Sequence, residues 1–142
     1  MRLSTRSHYG LKAMFDLAQN YGSGPISLKT VAQRQNLSDH YLEQLIAMLR
    51  KAGLVNSVRG AQGGYVLARE PSAINVGDII RALEGPIAPV YCVSEKDPGR
   101  CDEADYCITR TVWARVRDGF TAVCDSISLA DMCREAKESH KR

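Results

Sequence analysis

Residues 38–53, with the sequence SDHYLEQLIAMLRKAG, carry the clearest helical pattern in the chain. Apolar side chains recur there every three or four residues and so share one helix face. They are Leu42, Leu45, Ile46 and Leu49. Ser38 can cap the start of this helix and Gly53 can end it, which predicts a helix over about 39–52. One face should therefore be packed, while the opposite, polar face is free for contacts.

Two helices are expected before this segment, and a hairpin after it. The apolar face of the first helix consists of Leu11, Met14, Phe15, Ala18 and Tyr21. The run Gly-Ser-Gly-Pro at 22–25 ends that helix, because proline cannot continue it. Ser27 can cap a short second helix over about 28–35, with Asn36 in the left-handed turn that follows. Two short strands and the tip between them, which holds three glycines, are expected at 54–58, 65–67 and 59–64.

This order of helices and hairpin predicts a winged helix-turn-helix in a mainly α fold. Asn75 can cap a further helix over about 76–84, which Gly85-Pro86 stops. Residues 87–106 show no periodicity, and a short last helix is expected after Ser128. Between them lies a long helix over about 108–124, whose apolar stripe consists of Val112, Val116, Phe120 and Val123.

Charge and composition narrow the function. The net charge is +3, and residues 1–60 carry eight Lys or Arg against three acidic residues. A basic first half suits a polyanion such as DNA. There is no apolar run of membrane-spanning length and no signal-peptide segment, so we expect a cytoplasmic protein without a membrane partner.

The exposed face of the 39–52 helix and the hairpin tip are the candidate DNA-binding surface. Glu43 can accept a hydrogen bond from cytosine and Gln44 can pair with adenine, with His40 on the same face. Ser38 and Tyr41 can bind phosphates near the helix start. Arg59 can enter a minor groove, and Gly60 lets the backbone approach closely; either feature alone could equally be a solvated face and an ordinary turn.

Three of the five cysteines lie close together in an irregular stretch: Cys92, Cys101 and Cys107. Thiolates are soft ligands suited to an iron–sulfur cluster, Zn²⁺ or Cu(I). Five acidic residues against two basic ones make residues 92–107 a poor place for buried core cysteines. Cys124 and Cys133 fall on expected helices among apolar neighbours, where packing is the simpler interpretation.

Several motifs together resemble the IscR/NsrR/CymR-type family of winged-helix transcriptional regulators. They are YLEQL at 41–45, LRKAGLV at 49–55, VRG at 58–60, GGY at 63–65, LSTR at 3–6, YGLKA at 9–13 and VGDIIR at 76–81. The resemblance covers residues 2 to about 133. It implies a homodimer on a palindromic double-stranded DNA operator, with the long helix pairing the subunits, Glu43 reading bases and Arg59 in the minor groove. The expected divisions are a DNA-binding domain, a cluster loop, and a dimerisation helix with its tail, at 1–84, 85–107 and 108–142.

The resemblance is strongest to the iron–sulfur branch, which ligates its cluster with three cysteines at this point. It implies that Cys92, Cys101 and Cys107 hold a cluster, with [2Fe-2S] favoured over [4Fe-4S]. The histidine that follows the last cysteine in IscR is replaced by Arg110, which has no free lone pair. In the NsrR-like branch the partner subunit supplies an acidic ligand from the start of helix one. The matching position is His8, which we expect to complete the site of the other subunit.

Two other interpretations stay open from the sequence. A cluster-free, thiol-sensing regulator of CymR type is favoured by the LEGPI segment at 83–87, although that branch lacks the cysteine triplet. A structural zinc site would give a colourless protein. An enzyme is not expected, because the chain has no P-loop, no Gly-rich dinucleotide motif and no nucleophile motif.

Overall fold

The computed structural model describes residues 3–96, 98–99 and 101–140. Its elements follow the predicted order, and the fold is mainly helical with one two-stranded antiparallel sheet. The elements are α1 (Thr5–Gln19), α2 (Leu28–Gln35), α3 (Asp39–Lys51), β1 (Val55–Val58), β2 (Gly64–Leu67), α4 (Val76–Glu84), α5 (Ile108–Ser126) and α6 (Leu129–His140). Within the described ranges, no helix is long and apolar enough to cross a bilayer.

Serine caps set the starts of the first three helices. The Ser27 side chain accepts from the Thr30 backbone N–H at 3.1 Å, and Ser38 accepts from the Tyr41 N–H at the same distance. Between these two helices, Asn36 adopts the predicted left-handed conformation with φ of 54°. A cap of this kind contributes about 1 kcal/mol, enough to fix where each short helix begins.

A buried carboxylate joins α1 to α2. Asp16 is only 4% exposed and accepts from Arg34 Nη1 at 2.9 Å and from Gln35 Nε2 at 3.1 Å. The Asn20 side chain donates to the Asp16 carbonyl at 2.8 Å. These bonds compensate for the burial of the charge and fix the angle between the two helices.

The hairpin is tied to the connection between α1 and α2. Tyr65 and Ile26 exchange two backbone hydrogen bonds, at 2.8 and 3.0 Å. A β-carbon at Gly64 would lie 2.3 Å from the Ile26 carbonyl oxygen, so a side chain there would force the hairpin away. Glycine at this position therefore permits the close approach that orients the hairpin.

The last helix returns to the core. Leu129, at the start of α6, is fully buried, and its N–H donates to the Ile74 carbonyl at 2.9 Å. The Val76 N–H likewise donates to the Ile127 carbonyl at 2.9 Å, so the starts of α4 and α6 are joined. In one core cluster, Leu129 packs with buried side chains of α1, α3 and α4, including Met14, Leu42, Leu45, Ile79 and Leu83.

Four details differ from the sequence expectations. Helix α6 has twelve residues and is not short, and α5 continues to Ser126. Tyr21 is 49% exposed because α1 ends at Gln19, so the helical periodicity no longer applies to it. Residues 91–93, expected to be irregular, form a single 3₁₀ turn.

Candidate DNA interface and cysteine segment

Helix α3 separates its side chains as predicted. The four expected apolar residues are buried, whereas His40, Glu43 and Gln44 are exposed. His40 Nε2 and Gln44 Nε2 lie 3.2 Å apart, so the imidazole and the amide of this face restrain each other. An exposed polar helix face held on a packed apolar face has the shape required to enter a major groove.

The start of α3 is held by its serine cap and by contacts between Tyr41 and α1. Ser38 is exposed, and its hydroxyl is used as the helix cap. The Tyr41 hydroxyl lies 3.1 Å from the Thr5 hydroxyl at the start of α1, and the Tyr41 ring meets the Tyr9 ring edge-on. The Tyr41 hydroxyl is therefore placed at the junction of α1 and α3, beside the first turn of the exposed face.

The hairpin tip presents Arg59 and Gly60 to solvent. Gly60 has φ of 114°, a conformation that side chains rarely adopt, and its carbonyl accepts from the Gly63 N–H at 3.0 Å. A β-carbon at Gly63 would lie 2.2 Å from the Val58 carbonyl oxygen. The glycines thus allow a tight tip. Arg59 is the first residue of this tip, and its side chain is exposed.

The three clustered cysteines lie between α4 and the start of α5. Cys92 is in the 3₁₀ turn, Cys101 follows in irregular chain, and Cys107 is the residue before the first turn of α5. All three are free, half-buried thiols, so their chemistry suits a soft metal. Among the described residues of one protomer, however, no group of three or more His, Cys, Asp or Glu side chains is arranged to hold a metal ion.

The surroundings of Cys107 lower the pKa of its thiol. The Thr109 hydroxyl lies 3.1 Å from its sulfur, and hydrogen bonding to this hydroxyl lowers the pKa of the Cys107 thiol. Hydrogen bonds from the backbone N–H groups of Arg110 and Thr109 lower it further. The start of a helix favours a thiolate, which is the ligating and nucleophilic form of cysteine.

The other two cysteines are packing residues, as predicted. Cys124 is buried beside Ile80 and Ile87, and Cys133 is half-buried against the main core. Burial raises the pKa of both thiols.

His8 lies on the exposed side of α1, away from the core. Its ring meets the Tyr9 ring edge-on at 4.9 Å between centroids. With Leu3, Phe120 and Cys124 it lines a largely apolar cavity of about 590 Å³ between α1, α4 and α5. His8 therefore belongs to a cavity that the long helix borders.

Two features around α5 were not predicted from the sequence. Phe120, predicted as part of the apolar stripe of α5, packs toward α4 with Ile80 and Cys124. The stripe that does remain exposed consists of Ile108, Val112, Val116 and Val123, with Gly119 among them. The second feature is a charged anchor at Arg81, which pairs with Glu95 and Asp125 at 2.8 and 2.7 Å.

Comparison with known proteins gives concordant results. The model of the Rrf2 family, described as an iron-dependent transcriptional regulator, matches residues 3–135. The HTH-type transcriptional regulator CymR of Bacillus subtilis (strain 168) is 52% identical over 132 residues, which are 93% of this chain and 89% of the relative. The relatives are named as regulators and not as enzymes, in line with the sequence prediction.

Solved structures agree in fold. The structure of CymR, described as the global cysteine regulator of B. subtilis, is 50% identical with a TM-score of 0.78, covering 95% of this chain and 98% of that one. The structure of T. potens IscR is 55% identical with a TM-score of 0.80, covering 98% of this chain and 90% of that one. The family match spans nearly the whole chain, and these folds carry the same winged helix-turn-helix. The chain therefore belongs to the Rrf2 family of transcriptional regulators.

Proposed function

We propose that this regulator acts as a homodimer on a palindromic DNA operator and senses iron–sulfur status through its cysteine segment. The observation that carries the proposal is the placement of three half-buried free thiols in the segment that leads into the long helix, whose apolar stripe is exposed. Metal binding or oxidation at these thiols would therefore take place close to the surface that would pair two protomers.

DNA reading is assigned to α3 and the hairpin. Glu43 and Gln44 face the major groove with His40 beside them, and Ser38 and Tyr41 lie at the phosphate end of α3. Arg59 and Gly60 form the wing contact, where an arginine can read a narrow minor groove.

Replacing the wing arginine tests this assignment. Arg59→Ala should weaken operator affinity by about 1–3 kcal/mol at fixed salt, because the substitution removes every contact that the guanidinium makes in the groove. The measurement is fluorescence anisotropy on a duplex selected by the wild-type protein from a random library. Arg134→Ala removes an equally exposed cation from α6 and should leave affinity unchanged. Equal affinities for the two variants would exclude the wing role.

The exposed stripe on α5 is self-complementary in an antiparallel pair. If a two-fold axis passes between residues 115 and 116, Ile108 faces Val123 of the partner subunit, and Val112 faces the partner's Gly119. Val116 then lies next to the axis. The other four positions of the stripe thus pair with one another, as an isologous interface requires.

Gly119 supports this register. It lies in the middle of α5, where glycine costs about 1 kcal/mol relative to alanine. A β-carbon there would have no neighbour within 4 Å among the described residues, so none of them requires a glycine at this position. Receiving a valine from a second helix would account for it.

The same register brings Cys107 of the partner subunit toward His8. Cys107 directly precedes Ile108, and the partner's Ile108 lies opposite Val123. Cys124, next to Val123, lines the same cavity as His8. We assign the fourth ligand to the second protomer, because Arg110 in the same segment has no lone pair to donate.

A cluster would be held by Cys92, Cys101, Cys107 and His8 of the partner subunit, and [2Fe-2S] is favoured over [4Fe-4S]. When bound, it would supply an oxidant-sensitive group that depends on iron supply. Arg110, where IscR has histidine, contributes no ligand. Cys107 lies at the start of α5, so a change in the position of its sulfur would alter the helix proposed to pair the subunits.

A cluster-free thiol sensor is the second candidate. It is favoured by the 52% identity to CymR, which is described as the global cysteine regulator of B. subtilis. In that case the Cys107 thiol, with its lowered pKa, would be the reactive group.

Anaerobic purification separates the two candidates. A cluster protein should be brown, with iron and sulfide in similar amounts, and Cys107→Ser should lose both. Cys133→Ser removes a thiol that packs on the core and should keep both, which makes it the matched control. Colourless, iron-free protein after anaerobic reconstitution with iron and sulfide would reject the cluster and favour the thiol sensor.

A further inference from the structure

Arg81 in the last turn of α4 joins three parts of the molecule. Its Nη2 and Nε donate to Glu95 in the cysteine segment, at 2.8 and 3.1 Å. Its Nη1 and Nη2 donate to Asp125 near the end of α5, at 2.7 and 3.0 Å. Two bidentate pairs hold the planar guanidinium from both sides, an arrangement more specific than a single surface ion pair. Each acidic partner raises the pKa of Arg81, and Arg81 lowers the pKa of both carboxyls.

Glu95 extends this anchor to Cys92. Its carboxylate also accepts from the Ile87 N–H at 2.8 Å, and its own N–H donates to the Ile87 carbonyl at 3.1 Å. Residues 87–95 are thereby closed into a loop that carries Cys92. The neighbouring Val93 is buried, and its carbonyl accepts from Arg117 of α5 at 3.1 Å. Cys92 thus lies within a loop whose two ends Glu95 holds together.

The other side of α4 packs tightly on the DNA-binding part. Leu83, two residues after Arg81, is 1% exposed and lies over Gly10 of α1. A β-carbon at Gly10 would lie 2.2 Å from Leu83 Cδ1, so the two helices are as close as a glycine allows. A shift of α4 therefore has to move α1, because close-packed interiors do not deform continuously.

We propose that Arg81 is the coupling residue that transmits the position of the cysteine segment to α4 and so to the helix-turn-helix. This role rests on the proposed sensing function of the cysteine segment. It specifies the contacts through which the segment would act on the helix-turn-helix. Coupling of this kind is reciprocal: a change at α5 or α4 that releases Arg81 must also loosen the segment around Cys92.

Reciprocity gives a test that needs neither iron nor DNA. In the full-length reduced protein, the rate of Cys92 alkylation by iodoacetamide is measured by mass spectrometry. Asp125→Asn should raise it by about fivefold or more, the low end of typical coupling, although Asp125 belongs to the far side of the anchor. Glu95→Gln should raise it as much. Both variants keep Arg81 and exchange one carboxylate for an amide of equal size.

The matched control is Asp131→Asn. Asp131 also pairs with an arginine, Arg134, but that pair lies within α6 and neither residue bonds the cysteine segment. It should change the Cys92 rate less than about twofold, well below the coupling range. Unchanged rates in Asp125→Asn, or an equal rise in Asp131→Asn, would overturn the coupling role. Because the rates are measured on metal-free protein, an iron-free wild-type protein would refute the cluster and leave this test decisive.

Discussion

Val116→Glu is expected to dissociate the protein into monomers. Val116 is 43% exposed on α5 and lies next to the proposed two-fold axis, so two new carboxylates would meet in an apolar seam. Like charges facing each other across an interface cost several kcal/mol. A dimer weakened by only about 2.7 kcal/mol is already about 100-fold weaker. Operator affinity should fall with it, since each monomer then binds a single half-site.

Sedimentation velocity at low micromolar concentration measures this effect. Thr111→Glu introduces the same charge on α5 at an exposed position about 140° around the helix from Val116, and should leave the dimer intact. Far-UV circular dichroism should show folded protein for both variants, because neither position is buried in the protomer. A Val116→Glu protein that sediments like wild type would place the interface elsewhere.

Local chemistry explains the success of the sequence predictions. The bounds of α2 and α4 agree with those expected, because Ser27 and Asn75 cap their starts with side-chain hydrogen bonds. In α4 the Asn75 and Asp78 side chains each bond the other residue's N–H, a capping box formed by residues only three positions apart. The packed and polar faces of α3 also followed from spacing alone. Caps and apolar spacings that involve residues within four positions of each other were thus sufficient to predict these helix bounds and faces.

Long-range features were not accessible in the same way. Arg81 forms hydrogen bonds with residues 14 and 44 positions further along the chain. Contacts at such sequence separations produce no periodic pattern from which they could be predicted. The length of α6 depends on Leu129 and Met132 packing on the core, whereas the polar residues that follow gave little helical signal. Phe120 follows the spacing of the exposed stripe, yet its side chain packs toward α4. Spacing alone does not tell whether a residue at the edge of the stripe packs within the protomer or stays exposed. Among the described residues of one protomer, the three cysteines are not gathered into a metal site, so their spacing alone did not indicate their arrangement.

Two engineered heterodimers should give opposite results if His8 acts across the subunit boundary. In the first, one protomer carries His8→Ala and the other has Cys92, Cys101 and Cys107 replaced by serine. The intact cysteines of one protomer then face the intact His8 of the other, so about half of the wild-type iron should be retained. In the second, one protomer carries all four changes and the other is wild type. Each of its two sites then lacks either the cysteines or the histidine, and stable cluster binding should be lost.

Ligation within one protomer reverses this pattern, because only the second heterodimer would then contain a complete set. Each species can be isolated with two different affinity tags, and iron and visible absorption measured anaerobically before and after a brief chelator challenge. Equal retention of about half by both heterodimers, together with full loading of the His8→Ala homodimer, would remove His8 from the ligand set. Because a thiolate is also a competent iron ligand, His8→Cys offers a further check. It should restore chelator resistance with a shifted absorption spectrum, which a purely structural role of His8 in the cavity would not produce.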